Sequence, residues 1–543
     1  MKTISGNIID IHRREIYAGT LFFSQGRINK IEKNNKSYSH YILPGLIDSH
    51  VHIESSMLVP SSFSRLVVPR GTIGVVTDPH EIGNVLGVKG VEYMIDDSKK
   101  TPLKCFFGAP SCVPATSLDS SGSIIDHEDV EFLLDKKEIL FLSEMMNFVG
   151  VINGDKEVLR KIDGAKKRKL PVDGHAPGLR GEGLRKYVSA GISTDHECFS
   201  LEEALEKIEM GMKIQIREGS AARNFEALFS LFESHPESLM LCTDDSHPDE
   251  LIHEGHIDKL VKLGINKGVD IFNLLRAASL NPVMHYNLPV GLLREGDNAD
   301  FIVIDHPDKF NILQTYIDGQ KVFDSDRGLL FDKQSVEIVN HFVSRLVSEN
   351  DFSIDVPEGA SKLKVIRCFD GELVTDAFSK EIEGKEHLES DTDNDILKIV
   401  VVDRYQNKPV AVGFIKGFGL KNGAIASSVA HDSHNVVAVG VEDRHIASAV
   451  NMVMEAKGGL SVSSDEHEEI LPLPVGGIMS DKDGEEVAES YARIDKVAKK
   501  LGTQLKSPFM TLSFMSLLVI PKMKLGDKGL FDGENFEFIS LFE

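Results

Sequence analysis

Cysteine is scarce and unpatterned. The five residues (Cys105, Cys112, Cys198, Cys242 and Cys368) include no Cys-x-x-Cys pair. That excludes a disulfide framework or a cysteine-built zinc ribbon and points to reduced thiols in a cytoplasmic protein. Positive charge is also in deficit. With 60 Lys and Arg against 84 Asp and Glu, the formal net charge of −24 argues against nucleic acid or an anionic membrane as partner. No apolar run is long enough to cross a bilayer. The longest uncharged one, Phe509 to Pro521, is interrupted by Thr511, Ser513 and Ser516 and is expected to be a buried strand pair or core segment. Met1 to Asp10 lacks the basic-then-apolar pattern of a targeting signal. Repeats and low-complexity tracts are absent too. What remains, at 41% apolar over 543 residues, is a globular chain of roughly three structural units.

Short β runs open the chain, at Ile8–Ile11, Tyr17–Phe23 and Arg27–Ile31, with turn residues between them. A similar texture returns at Ala299–Ile304 and Gln314–Val322, so residues 1–42 with 285–330 are expected to form a small β-sandwich domain from both flanks. Between them, over 43–284, apolar strands alternate with helical stretches. The strand candidates are Tyr41–Ile47, Gly74–Thr77, Lys104–Gly108, Ile139–Ser143, Leu170–Asp173, Ile192–Thr194, Lys213–Ile216 and Leu239–Thr243. Ser200-Leu201-Glu202-Glu203 reads as a capping box opening a helix that Gly211 closes. A further helix is expected from Ser220, with Phe225, Leu228, Phe229 and Phe232 at helical spacing. Such alternation means parallel strands with crossover helices, and eight units over about 240 residues fit an α/β fold, the (β/α)8 TIM-type barrel. An open doubly wound sheet is the alternative, but no Gly-rich nucleotide fingerprint follows the first strand.

A helical connector is expected over Val336–Val347, followed by a C-terminal α+β domain over 350–543. That domain has an acidic loop at Glu386–Asp395 and strands at Ile399–Val402 and Pro409–Phe414. It also has a helix capped by Asp443, with Ile446, Val450, Val453 and Met454 on one face and Gly458 as its stop.

Barrel chemistry is assembled where the strands run out at their C-terminal ends. The first ends in His50-Val51-His52, and because side chains two apart on a strand share a face, the imidazoles project together as half of a transition-metal site. Other exits carry Asp78, His80 and Glu81, then Glu144, then His175, then Asp195, His196 and Glu197, and last Asp244, Asp245 and His247. Singly, each has a plain structural reading: Glu144 as an ion pair, Asp244 as a helix N-cap, His196 as a satisfied polar residue. Jointly, four histidines at three exits with carboxylates at two more exceed the needs of one ion. They suggest a binuclear centre with a shared carboxylate.

Pro44–Ser56, Gly74–Asn84, Ser143–Asn147, Gly174–Pro177, Thr194–Glu197, Arg217–Asn224 and Thr243–His256 together resemble the adenine deaminases of the amidohydrolase superfamily. So do Gly417–Leu420, His431–Asn435, Leu471–Met479 and Pro508–Ile520 in the C-terminal region. The resemblance implies a metal-dependent barrel that deaminates adenine to hypoxanthine and ammonia by a metal-bridged hydroxide. It makes His50, His52 and Asp244 ligands of one metal, His175 and His196 ligands of the other, and Glu144 the bridging carboxylate, where many relatives carry a carboxylated lysine. Asp244 is then also the catalytic proton acceptor. Mn²⁺ is the favoured ion, with Fe²⁺ or Zn²⁺ equally suited to the donors, and a small-molecule purine and a homo-oligomer are the partners implied.

Since no Lys occupies the Ser143–Asn147 exit, the cyclic-amide hydrolases are the weaker alternative; a metal-free scaffold would have lost ligands, and none is missing. Asp78, His80, Glu81, Arg217, Asp245 and His256 are candidates for substrate or supporting contacts. His431-Asp432-Ser433-His434 reads as structural loop histidines, an extra metal site or a lid.

Overall fold

The computed structural model describes residues 1–116, 118–220, 222–343, 345–382 and 384–543. It contains two compact units: 1–79 with 92–112 and 125–335, and 80–91 with 113–124 and 336–543.

In the first unit, Leu46–Val51, Thr72–Thr77, Lys104–Ala109, Ile139–Met145 and Val172–Gly174 pair side by side in parallel. Thr194–Asp195, Lys213–Arg217 and Leu239–Cys242 continue the arc, again parallel. Ser193 N donates to Val172 O at 2.9 Å between the two arcs. The ring closes where His52 N donates to Asp244 O at 3.2 Å and Asp244 N to His50 O at 3.0 Å. The eight strands of the expected barrel are therefore present, and the closing hydrogen bonds involve the same residues that carry the chemistry.

Two sequence expectations shift here. The run Tyr41–Ile47 is two strands, Tyr41–Pro44 and Leu46–Val51. Gly45 separates them because its backbone lies flat on Ile73, whose side-chain carbons would stand 2.5 to 2.6 Å from a Cβ. The tract read as a helix from Ser220 forms helix only at Phe225–Leu228 and Leu231–Ser234, while Ala221 lies outside the described residues. Asn224 Oδ1 instead accepts from Arg217 N at 2.8 Å, which holds the preceding loop against the seventh strand. Ser200 caps Leu201–Glu209, accepting from Glu203 N, but Glu203 accepts from Phe199 N, so half of the expected capping box forms.

The two flanks meet in one eight-stranded sheet. Tyr41–Pro44 joins them, pairing in parallel with Lys2–Asp10 and antiparallel with Phe301–Ile304. That double pairing makes a continuous hydrogen-bonded sheet of strands expected as a sandwich. Its apolar face gathers Ile8, Leu21, Phe23, Ile42, Phe301 and Tyr316.

The second unit is built on another eight-stranded sheet, with Asp443–Ala456 packed on it through Ile446, Val450, Val453 and Met454. Glu442 rather than Asp443 is the N-cap position of that helix. The connector over Val336–Val347 is not helical among its described residues. Tertiary partners take up its polar groups: Val343 N donates to Arg404 O, Val339 O accepts from Gly476 N, and Asn340 Nδ2 donates to Lys457 O and Pro474 O. The Phe509–Pro521 run is buried as far as Leu518 and emerges at its end, and it starts in the helix Pro508–Ser513 and contains no strand.

Lys524 is buried in this unit and donates to Leu373 O at 2.6 Å and Phe514 O at 3.0 Å. Burial pulls its pKa down to about 7, with Cys368 opposing. The unfolded chain therefore binds more protons between pH 7 and the usual lysine value, so this group's contribution to stability rises with pH across that window. Urea titrations should show the second unit gaining stability from pH 7 to 10, and Lys524→Met should abolish that slope.

Candidate metal centre

Glu144 stands at the end of the fourth barrel strand, 3% exposed, and its two oxygens face different neighbours. Oε1 lies 3.1 Å from His52 Nε2 and 3.9 Å from His50 Nε2. Oε2 lies 2.7 Å from His175 Nδ1 and 3.4 Å from His196 Nε2. Asp244 Oδ1 completes the first group, 3.1 Å from His52 Nε2 and 3.5 Å from His50 Nε2. Its backbone φ of 58° swings the carboxylate inward as the eighth strand ends. Asp245 accepts from Ser55 Oγ at 2.5 Å, and its carboxylate lies within 4.8 Å of the donor atoms of His52 and Asp244.

Several contacts aim these groups. His52 Nδ1 donates to Asp78 O at 3.1 Å, which turns Nε2 toward the carboxylates as metal ligands require. Gly174 lets the fifth strand approach the sixth, since a Cβ there would stand 2.3 Å from Thr194 O. His175 then follows directly. Arg217 donates through Nη1 to Asp244 Oδ2 and through Nη1 and Nη2 to Glu197, whose Oε1 is 3.4 Å from His196 Nε2. Beneath the first strand, Asp48 accepts from Thr243 Oγ1 at 2.5 Å and lies 3.0 Å from His256 Nε2, whose Nδ1 meets Thr72 Oγ1 at 2.8 Å. His256 is thus engaged in support beneath the centre. Lys207 ties the sixth strand to the loop after the fifth, donating to Asp195 Oδ2 at 3.0 Å and Ala176 O at 2.8 Å.

The electrostatics call for compensating positive charge. Burial opposes ionisation of Glu144, yet His175 and its neighbours hold its pKa well below the usual carboxylate range. Burial likewise opposes charge on Asp244, and Arg217 outweighs it. Burial disfavours a charged His196, but Glu144 and Glu197 push its pKa up to about 10. Only His50 goes the other way, held down by burial and by the His196 ring stacked on it at 4.2 Å. Neither ring nitrogen of His50 has a hydrogen-bond partner of normal geometry among the described residues, and the same holds for His196 Nδ1. Orphaned buried imidazole nitrogens facing ionised carboxylates fit a divalent cation, and the buried groups His50–His196–Asp244 and Glu144–His175–His196 each bring their donor atoms within 4.8 Å of one another.

Of the six residues predicted to hold metal, the structure brings all six together. Arg217 and Asp78 join them as described, and His256 lies beneath. His80 and Glu81 belong to the second unit, where they meet His431 and His434. Sequence reasoning assigned no role to Glu197, Asp48, Asp173 or Lys207. Glu197 could have been found as the carboxylate next to His196 at a strand exit. Asp173, which burial pushes up to about 7, accepts from Tyr286 Oη and Thr194 Oγ1, contacts that spacing alone does not reveal.

A closed parallel barrel with imidazoles and carboxylates gathered at its strand exits has the architecture of metal-dependent hydrolases. Residues 41–322 match the amidohydrolase family, and residues 372–537 match the adenine deaminase C-terminal domain. The chain is 54% identical to the adenine deaminase of Methanosarcina acetivorans over the whole of both chains. It is 52% identical to that of Sulfurovum sp. and 45% to that of Borreliella burgdorferi, each over 99% of both chains. The chain belongs to the adenine deaminase family, which bears out the resemblance read from its motifs.

Proposed function

We propose that this chain hydrolyses adenine to hypoxanthine and ammonia at a binuclear centre that works best with Mn²⁺. The full-length likeness to adenine deaminases carries the reading, and the two-sided environment of Glu144 supports it. His50, His52 and Asp244 would hold one ion, His175 and His196 the other, with Glu144 between them. Two divalent ions, when bound, supply an acidified water near neutral pH.

Asp244 is set to take a proton. Arg217 fixes its Oδ2, so Oδ1 has a defined direction from which to accept a proton and pass it to the purine ring nitrogen or to departing ammonia. The oxygen of water forms a C–O bond at the carbon bearing the amine, one of its protons passes to the ring nitrogen and the other to the amino group, and the C–N bond breaks to release ammonia as the C=O forms. Glu144, an acceptor on both sides, keeps His52 and His175 oriented.

Removal of metal with a chelator should abolish turnover, and Mn²⁺ should restore it. In a spectrophotometric screen adenine should be consumed much faster than adenosine or dihydroorotate. Equal rates on adenine and adenosine would defeat the free-base reading, and preference for dihydroorotate would favour the cyclic-amide alternative.

The second unit should be indispensable. Segments 80–91 and 113–124 cluster with residues 336–543, and Asn435 Nδ2 donates to Ser120 O at 3.0 Å. A chain ending near residue 340 would strand both segments, so it should be insoluble or inactive. Undiminished adenine turnover by a soluble truncated chain would refute this.

A further inference from the structure

A second set of buried histidines and carboxylates is carried by the second unit. His80 and Glu81 open the helix His80–Leu86, and His431, Asp432 and His434 lie on the turn after the strand Ala424–Ser427. All five are buried, from 1% to 7% exposed. Around Glu81 the roles divide by geometry. His431 Nδ1 is hydrogen-bonded to Oε1, and His434 Nε2 to Oε2. Ala430 N donates to His434 Nδ1 at 3.3 Å, so the hydrogen of that ring sits on Nε2 and points at Glu81. His434 is therefore a donor that orients the carboxylate. Burial holds its pKa down to about 4, which keeps the ring neutral in that role.

His80 is placed differently. Its Nε2 stands 3.6 Å from Glu81 Oε1 and 4.0 Å from Asp432 Oδ1. Those separations are too long for hydrogen bonds. They suit two donors sharing one ion at about 2.1 Å, whose mutual separations run about 3 to 4 Å. The donor atoms of His80, Glu81 and Asp432 all fall within 4.8 Å of one another.

We propose that the second unit binds its own divalent first-row transition-metal ion on His80 Nε2, Glu81 Oε1 and Asp432 Oδ1, with His431 and His434 orienting Glu81. One imidazole and two carboxylates form a set suited to Mn²⁺, Fe²⁺ or Zn²⁺, and hydrogen-bonded ligating carboxylates are the usual support of such sites. Further carboxylates stand near the set. Burial together with the charges of Asp527 and Asp432 pushes the Asp119 carboxyl well up, while Lys408 is committed to Asp403 at 3.0 Å and Asp527 at 3.6 Å. An ion here would pin the start of the His80 helix to the 431–435 turn.

The test uses the full-length protein, stripped with chelator, reloaded with Mn²⁺ and desalted, with bound Mn counted by plasma mass spectrometry. Wild type should carry one ion per chain more than Asp432→Asn and one more than Glu81→Gln, and the double variant should lose no further ion. Anomalous diffraction at the Mn edge from wild-type crystals needs no variant, and should show a peak between His80, Glu81 and Asp432, apart from any at His50 and His196. Equal Mn counts in folded wild type and Asp432→Asn would overturn the proposal. So would an edge map with no peak there, leaving Glu81 and its histidines as a hydrogen-bonded network only. A missing peak at His50 and His196 would bear on the binuclear reading alone.

Discussion

Glu144→Gln should bind fewer than two metal ions per chain and lose at least a thousandfold in turnover, about 4 kcal/mol of transition-state stabilisation. The substitution keeps the shape of the side chain. It replaces one anionic oxygen by an amide that cannot ligate, so either the His50–His52 side or the His175–His196 side loses its shared acceptor. The lost charge also matters before any metal arrives. Glu144 raises the proton affinity of His52, His175 and His196, so in Glu144→Gln these imidazoles should titrate lower. Metal analysis beside steady-state kinetics separates the outcomes. A fully metallated, fully active Glu144→Gln protein would remove this residue from the centre.

Asp244→Asn should lose several orders of magnitude in kcat while KM changes little, the pattern of a group that acts in the reaction more than in substrate binding. Folding should survive, because Arg217 keeps its two contacts to Glu197 when Asp244 loses its charge. Asp245→Asn should be far milder, since that carboxylate is held by the Ser55 hydroxyl, while His50, His52 and Arg217 all contact Asp244. If Asp245→Asn proves the more damaging change, the two aspartates exchange roles.

The contrast between those neighbours shows what periodicity could and could not deliver. The His-x-His pair was legible because a strand puts alternate residues on one face, and His50 and His52 do project together, with ring centroids 4.9 Å apart. At Asp244 the strand has ended. A left-handed backbone, not alternation, chooses which carboxylate turns inward, and nothing in a two-residue period encodes that. The eight barrel strands were legible as short apolar runs, six of which end in the polar residues that drew attention to the site. The connector at 336–347 was not. Its apolar spacing imitates a helix, but its backbone partners, such as Arg404 and Gly476, are distant in sequence. Glu81 escaped for a similar reason, since its exit follows the barrel pattern while its hydrogen-bond partners lie 350 and 353 residues downstream.

That separation has a consequence for biosynthesis. A ribosome adding about 5 to 20 residues per second needs about 20 to 70 s to go from Glu81 to His431. For most of that interval the 80–91 and 113–124 segments have been made, while the 431–435 turn that meets them has not. The nascent chain therefore carries an unfinished early segment for most of its synthesis. Its yield should respond to translation speed and to chaperones that shield exposed segments, more than that of a protein whose units are contiguous in sequence.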